Sequence, residues 1–222
     1  MKIARLAILA LTAGLLYGAT DAEERLDDAA SVMTDIMAAP DKGIPQDLLQ
    51  RAQCIVIVPG VKKGAFIFGA KYGKGFMLCR RAGAGWSAPA ATRVEGGSFG
   101  FQIGVSETDV VMLVMNDSGV KKLLQSKFTL GGDASVAAGP VGRTSSAETD
   151  AQLHAELLTY SRARGLFAGV ALQGATLRPD DDWNKSLYHA DLTSRDIVLG
   201  KTSPPEAAGK LMEVLNKYSR RR

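Results

Sequence analysis

Glycine recurs inside the apolar segments of this chain and not only between them. Gly69, Gly75, Gly100, Gly104, Gly169 and Gly174 all fall in runs whose neighbours have strand character. Glycine in a strand interior costs stability, because it packs no side chain and loses the most backbone freedom on folding. Its repeated use there marks places where backbone must bulge, bend or approach another backbone closely. A flat sheet has few such places, whereas a coiled sheet or barrel has one at each point of curvature. The expected fold class is therefore α+β: a strongly coiled, Gly-rich antiparallel sheet or small barrel, with flanking N- and C-terminal helices.

The strand candidates follow from short apolar runs and their punctuation. Cys54 to Val58 is an Ile- and Val-rich run closed by Pro59-Gly60. Residues 64–71 and 74–80 read as a hairpin about Tyr72-Gly73, and 97–105 and 108–115 as a second pair about Ser106-Glu107. Gln152 to Leu157 alternates polar and apolar, as a half-buried strand does, and 166–177 is a further long strand candidate.

The helical signal lies at the two ends. Leu26, Ala29, Ala30, Met33, Ile36 and Met37 recur at spacings of three and four over residues 21–38, before Pro40 and Gly43. Asp21, Glu23, Glu24, Asp27, Asp28 and Asp35 occupy the opposite face. An acidic face is wrong for adsorption to an anionic membrane, so this helix is expected to pack on the core. A short helix is predicted from Ser118 to about Ser126, buried through Val120, Leu123 and Leu124. Near the C-terminus Ser203 offers an N-cap and Pro204 a first helical residue, and Leu211, Met212, Val214 and Leu215 form an apolar face. Arg220 to Arg222 make a basic tail.

The chain has 222 residues, of which 46% are hydrophobic and 23% charged, enough for one real core. Residues 1–20 read as a secretory signal peptide: Lys2 and Arg5, a mostly apolar stretch from Leu6 to Ala19, then small residues. That stretch is shorter than the ~20 residues of a membrane span, although an uncleaved anchor is the alternative. Residues 21–222 are expected to form one domain, exported to the periplasm or secreted. Loss of Lys2 and Arg5 takes the formal charge from +4 to +2. The remaining charge is uneven. Between Asp47 and Glu95 there is no acid, but Arg51, Lys62, Lys63, Lys71, Lys74, Arg80, Arg81 and Arg93. Such a segment either attracts anionic partners or is a row of solvated strand ends balanced by distant acids. Export makes a Cys54–Cys79 disulfide possible. Buried free cysteines fit the same apolar surroundings.

Motifs for catalysis lack their context. Gly96-Gly97-Ser98-Phe99-Gly100 fits G-x-S-x-G, with Asp109 and His154 or His189 as formal triad partners. That elbow needs a helix after the serine, and here strand character follows. Gly69 to Gly75 lacks the spacing and final Ser/Thr of a phosphate loop. Asp180-Asp181-Asp182 reads as a solvated turn or helix start and not as a cation site.

A longer ordered pattern remains. It runs through Ile44-Pro45, Leu48-Leu49 and Ile55 to Pro59, then Gly64, Phe66, Gly69, Gly73 and Gly75. Trp86-Ser87, Pro89, Gly97, Gly100, Gln102, Ile103, Gly104 and Asp109 follow. Gly139-Pro140, Gly142-Arg143, Tyr160-Ser161-Arg162, Gly165 to Gly169, Leu172, Gly174, Asn184 and Tyr188 complete it. Over residues 24–218 this resembles the SYLF-domain family, which has lipid-binding and yeast actin-binding members. The resemblance implies non-enzymatic binding of anionic phospholipids or phosphoinositides at a membrane surface. No cofactor, metal, catalytic residue or nucleic-acid partner is expected. The residues assigned to lipid are Lys62, Lys63, Lys71, Lys74, Arg80 and Arg81, with Phe66, Phe76 or Trp86 as apolar contacts. A serine- or metal-dependent hydrolase and an envelope scaffold are the rival readings.

Overall fold

The computed structural model describes residues 20–39, 43–65, 68–81, 85–99, 104–142, 154–163, 166–169, 172 and 174–219. Residues 1–19 of the proposed leader, Phe66 and the Arg220–Arg222 tail lie outside the described residues. The amphipathic N-terminal segment forms helix α1 (Asp21–Ala38), burying Leu26, Ala29, Ala30, Met33 and Ile36. Thr20 caps it reciprocally with Glu23: Glu23 N–H donates to Thr20 Oγ1 (3.3 Å), and Thr20 N–H donates to Glu23 Oε2 (2.7 Å). Helix α2 (Gln46–Arg51) follows, anchored by Leu48 and Leu49.

The sheet is built on four long strands: β1 (Cys54–Ala65), β2 (Phe68–Cys79), β3 (Ala90–Phe99) and β4 (Gly104–Val114). Helix α3 (Asp117–Leu123) then leads to short strands β5 (Phe128–Thr129) and β6 (Val136–Ala138). Strands β7 (Leu157–Ala163), β8 (Leu166–Gly169) and β9 (Thr176–Pro179) complete the sheet. After them come helices α4 (Asp181–Tyr188) and α5 (Ser194–Leu199), a 3-10 turn at Glu206–Ala208, and α6 (Gly209–Tyr218). Among the described residues nine strands make one curled half-barrel in the order β5-β9-β3-β2-β1-β4-β7-β6, with β8 on β7. The fold class matches the sequence expectation, with one exception to antiparallel pairing: β6 runs parallel to β7.

Apolar side chains alternate between the two faces of the curl and make two cores. Ile55, Ile57, Phe76, Leu78, Val111 and Leu113 meet α1, α2, α4 and α6 on the first face. Val56, Val58, Met77, Val94, Met112 and Val114 meet α3, α5 and the segment around Phe128 on the second. Cys54 and Cys79 stand directly opposite each other in β1 and β2 and are disulfide-bonded.

The strand boundaries differ from those read in the sequence, and the glycines explain why. Tyr72-Gly73 is not a turn but lies mid-strand in β2, and the β1–β2 hairpin closes between Ala65 and Phe68. Gly73 and Gly75 lie where β2 faces the irregularity in β1 between Ile57 and Lys62. A Cβ on Gly73 would sit 2.9 Å from Val61 Cγ2, and one on Gly75 would sit 2.0 Å from the Ile57 carbonyl oxygen. Ser106-Glu107 likewise lies inside β4, paired with Lys63 and Lys62. The Cys54–Val58 run does not stop at Pro59-Gly60; β1 continues through a bulge there, with Gly60 at φ +59°.

Elsewhere, Gln152 and Leu153 of the expected 152–157 strand lie outside the described residues, and residues 154–156 are not strand: β7 starts at Leu157, and Glu156 binds Lys122 at 2.8 Å and the Ser135 carbonyl through its N–H. The 166–177 run divides into β8 and β9, with Gly174 in a turn at φ +77°. At the C-terminus Ser203 and Pro204 are not the helix start, because Pro205 disfavours helical backbone at Pro204. Asp180 is not solvated: it caps α4 and is 1% exposed.

Candidate functional site

Apart from Arg51 at the end of α2, the basic run between Asp47 and Glu95 separates in space into two groups. Arg80 stacks 3.9 Å from the Trp86 ring centroid and donates to the carbonyls of Leu49 (3.1 Å) and Ser219 (2.8 Å). Arg81 donates to the carbonyls of Gly200 (2.8 Å) and Thr202 (2.9 Å). Lys74 pairs with buried Asp180 at 2.8 Å and lies 4.4 Å over the Trp183 ring. Arg93 donates to Glu95 at 2.6 Å. Arg80, Arg81 and Lys74 thus tie the sheet to α2, α4, α6 and the segment after α5, while the Arg93 contact stays within β3. Phe76 and Trp86 are buried in the first core, so neither reaches a bilayer.

The second group is Lys62, Lys63 and Lys71, at the end of the β1–β2 hairpin away from the disulfide. Lys63 stands directly opposite Lys71, with Gly64 opposite Ala70 beyond them. On that row the next strands contribute Ser106 and Gly96, both uncharged. Like charges in direct cross-strand opposition destabilise a sheet. Burial first, and then the Lys63 charge, hold the Lys71 ammonium below the ordinary lysine value. Lys62 projects from the other face, opposite Tyr72 on one side and Glu107 on the other. Lys62 is exposed, and Tyr72 is 48% exposed.

The bulge decides this arrangement. Between Val58 and Val61 β1 uses one residue more than β4, so Val58, Val61 and Lys63 share a face. Three elements hold it. Arg25 of α1 donates to the Pro59 carbonyl (3.2 Å), and Gly60 N–H donates to Asp109 Oδ1 (2.9 Å). Arg162 of β7 contacts Asp109 Oδ2 at 2.9 Å and also pairs with Asp35 of α1. Pro59-Gly60 inside an otherwise regular run is the sequence signal for the bulge; Asp109 and Arg162 both stand in the family pattern, but nothing in the sequence ties them to each other or to Gly60.

Ser98 lies in β3 opposite Gly69, within a strand and not on a strand-to-helix turn. Asp109 is taken up by Gly60 and Arg162. Among the described residues no group of three or more His, Cys, Asp or Glu side chains is placed to hold a metal, and no helix is long and apolar enough to cross a membrane.

Residues 95–218 match the family model described as Ysc84, Las17-binding protein actin regulator. The chain belongs to the Ysc84 family. This is the SYLF family of the motif pattern. The human SH3 domain-containing YSC84-like protein 1 is 35% identical over 181 residues, 81% of this chain and 53% of its own length. LAS seventeen-binding protein 3 of Saccharomyces cerevisiae is 34% identical over 190 residues, 84% of this chain and 41% of its own. An SH3 domain-containing protein of Schizosaccharomyces pombe is 38% identical over 176 residues, 78% and 41% of the two chains. The chain thus spans about half or less of the curated relatives it matches. The Ysc84-family match includes β4, Asp109 and Arg162, and begins after the β1–β2 lysines.

Proposed function

We propose that this Ysc84-family chain is a non-enzymatic binding module for anionic phospholipid headgroups, engaged at the hairpin end that carries Lys62, Lys63 and Lys71. The observation that carries this reading is the gathering of Lys62, Lys63 and Lys71 at one end of the β1–β2 ladder. Cations gathered at one end of a sheet make a local positive field that attracts anions. A lipid surface provides many such anions, and each lysine near it contributes about 1 kcal/mol. Lys74, Arg80 and Arg81, first assigned to lipid, serve the fold in this reading.

The proposal extends to export. Residues 1–20 would direct the chain out of the cytoplasm, and the Cys54–Cys79 disulfide favours an oxidising compartment. The capping box uses Thr20, so processing just before it keeps the cap, while a cut after it forfeits about 1 kcal/mol. N-terminal sequencing of the mature protein tests this; an intact Met1 in a membrane pellet would refute it.

A protein ligand is the second reading, favoured by the family's description as Las17-binding. Vesicle co-sedimentation separates the two. Binding that rises with anionic lipid content and falls with salt supports the lipid reading, and no binding at any composition leaves the protein ligand.

A further inference from the structure

We infer that Asp109 and Arg162 are positioning residues that select which lysine faces Lys71. The inference rests on the proposed lipid site but is tested apart from it. Strand side chains alternate, so a one-residue change of register carries each of them to the opposite face. With regular pairing after Val58, Lys62 would share the face of Val58 and Lys71, and Lys63 would turn to the other face with Tyr72. The single extra residue at Pro59-Gly60 reverses this. A bulge leaves backbone groups out of the ladder, and here they have side-chain partners. The Gly60 N–H is taken by Asp109 at 2.9 Å and the Pro59 carbonyl by Arg25 at 3.2 Å.

Asp109 is aimed by Arg162, which contacts its second oxygen at 2.9 Å and reaches α1 through Asp35. Gly60 sits at φ +59°, where a substituted residue is strained, and a Cβ there would also meet Glu107 Oε1 at 2.6 Å. A charged clamp from β4, β7 and α1 thus converges on Pro59 and Gly60, and it fixes the face of Lys63 three positions beyond Gly60.

The test reads the register directly. Lys63→Cys/Lys71→Cys and Lys62→Cys/Lys71→Cys proteins are oxidised mildly, and the new crosslink is mapped by mass spectrometry beside the native one. In the otherwise unchanged chain the 63–71 pair should crosslink and the 62–71 pair should not. In Asp109→Ala, which removes the Gly60 acceptor, the 63–71 crosslink should fall and the 62–71 crosslink should rise. Arg162→Gln should shift both in the same direction by less. Asp109→Asn, which keeps an acceptor oxygen, should restore the 63–71 crosslink, a rescue that a purely stabilising role does not predict. If Asp109→Ala does not fold, Arg162→Gln decides. Parent-level 63–71 crosslinking in folded Asp109→Ala, or in Arg162→Gln where that variant decides, would overturn the inference. Vesicle binding of Lys63→Gln/Lys71→Gln tests the lipid site separately, so a shifted register in Asp109→Ala leaves the positioning role standing whatever that variant binds.

Discussion

Gly75→Ala tests whether the strand glycines mark close backbone approach. A Cβ at this position would lie 2.0 Å from the Ile57 carbonyl oxygen, 2.7 Å from Val58 Cα and 2.9 Å from the Ile57 carbonyl carbon. All three are backbone atoms, so no rotamer change relieves the clash. Strands β1 and β2 must separate locally, which strains the first turn of the bulge. Overpacking costs about 1–3 kcal/mol where side chains can yield. Each ladder hydrogen bond lost adds about 1 kcal/mol. We expect destabilisation of about 3–4 kcal/mol, near the upper end because backbone must move. For a chain of this size that lowers Tm by about 10 °C. Gly64→Ala is the control: nothing lies within 4 Å of its Cβ. There alanine should be neutral or stabilise by about 0.5–1 kcal/mol. Urea titration and thermal melts followed by circular dichroism measure both. Gly75→Ala within about 1 kcal/mol of Gly64→Ala would refute the close-approach explanation of the curl.

Arg80→Gln should destabilise by about 3 kcal/mol, because two hydrogen bonds from a charged donor and the stack on Trp86 are lost together; vesicle binding of the folded protein should not change. Reducing the disulfide, or replacing both Cys54 and Cys79 with alanine, should cost about 3 kcal/mol for a closed loop of 25 residues, read by urea midpoint. Lys71 titrates lower in the folded chain than unfolded, so in the window just below the ordinary lysine value of 10.5 the unfolded chain binds more protons. Stability from this group therefore rises with pH through that window. Lys71→Gln should stabilise at neutral pH, with an advantage that shrinks toward pH 10.5, measured by urea titration across pH.

The coiled sheet, the terminal helices and their buried stripes were legible because each rests on a local pattern. Leu26 to Ile36 repeat with the helical period, and glycine inside apolar runs has few meanings. Turn positions were less legible, since Tyr72-Gly73 is a turn signal wherever only neighbours in sequence are considered. Its mid-strand place depends on Val58 and Val61 across the sheet. Consecutive buried residues Leu157 to Tyr160, covered on both faces, give β7 no alternation to detect. The run of basic residues was visible, but not its division. Lys74 meets an acid more than a hundred residues away, and Arg80 meets the carbonyl of Ser219. Pairing of Lys63 with Lys71 depends on one bulged residue, and sequence alternation alone puts the other lysine there.

The central claim is that the Lys63–Lys71 end of the sheet meets anionic lipid. Its most direct test is the affinity of Lys63→Gln/Lys71→Gln for vesicles of graded anionic content, measured by co-sedimentation at two salt concentrations. Two lysines at about 1 kcal/mol each predict a loss of about 30-fold at low salt, with a smaller difference at high salt. A folded double variant that binds as tightly as the parent at both salt concentrations would contradict the claim.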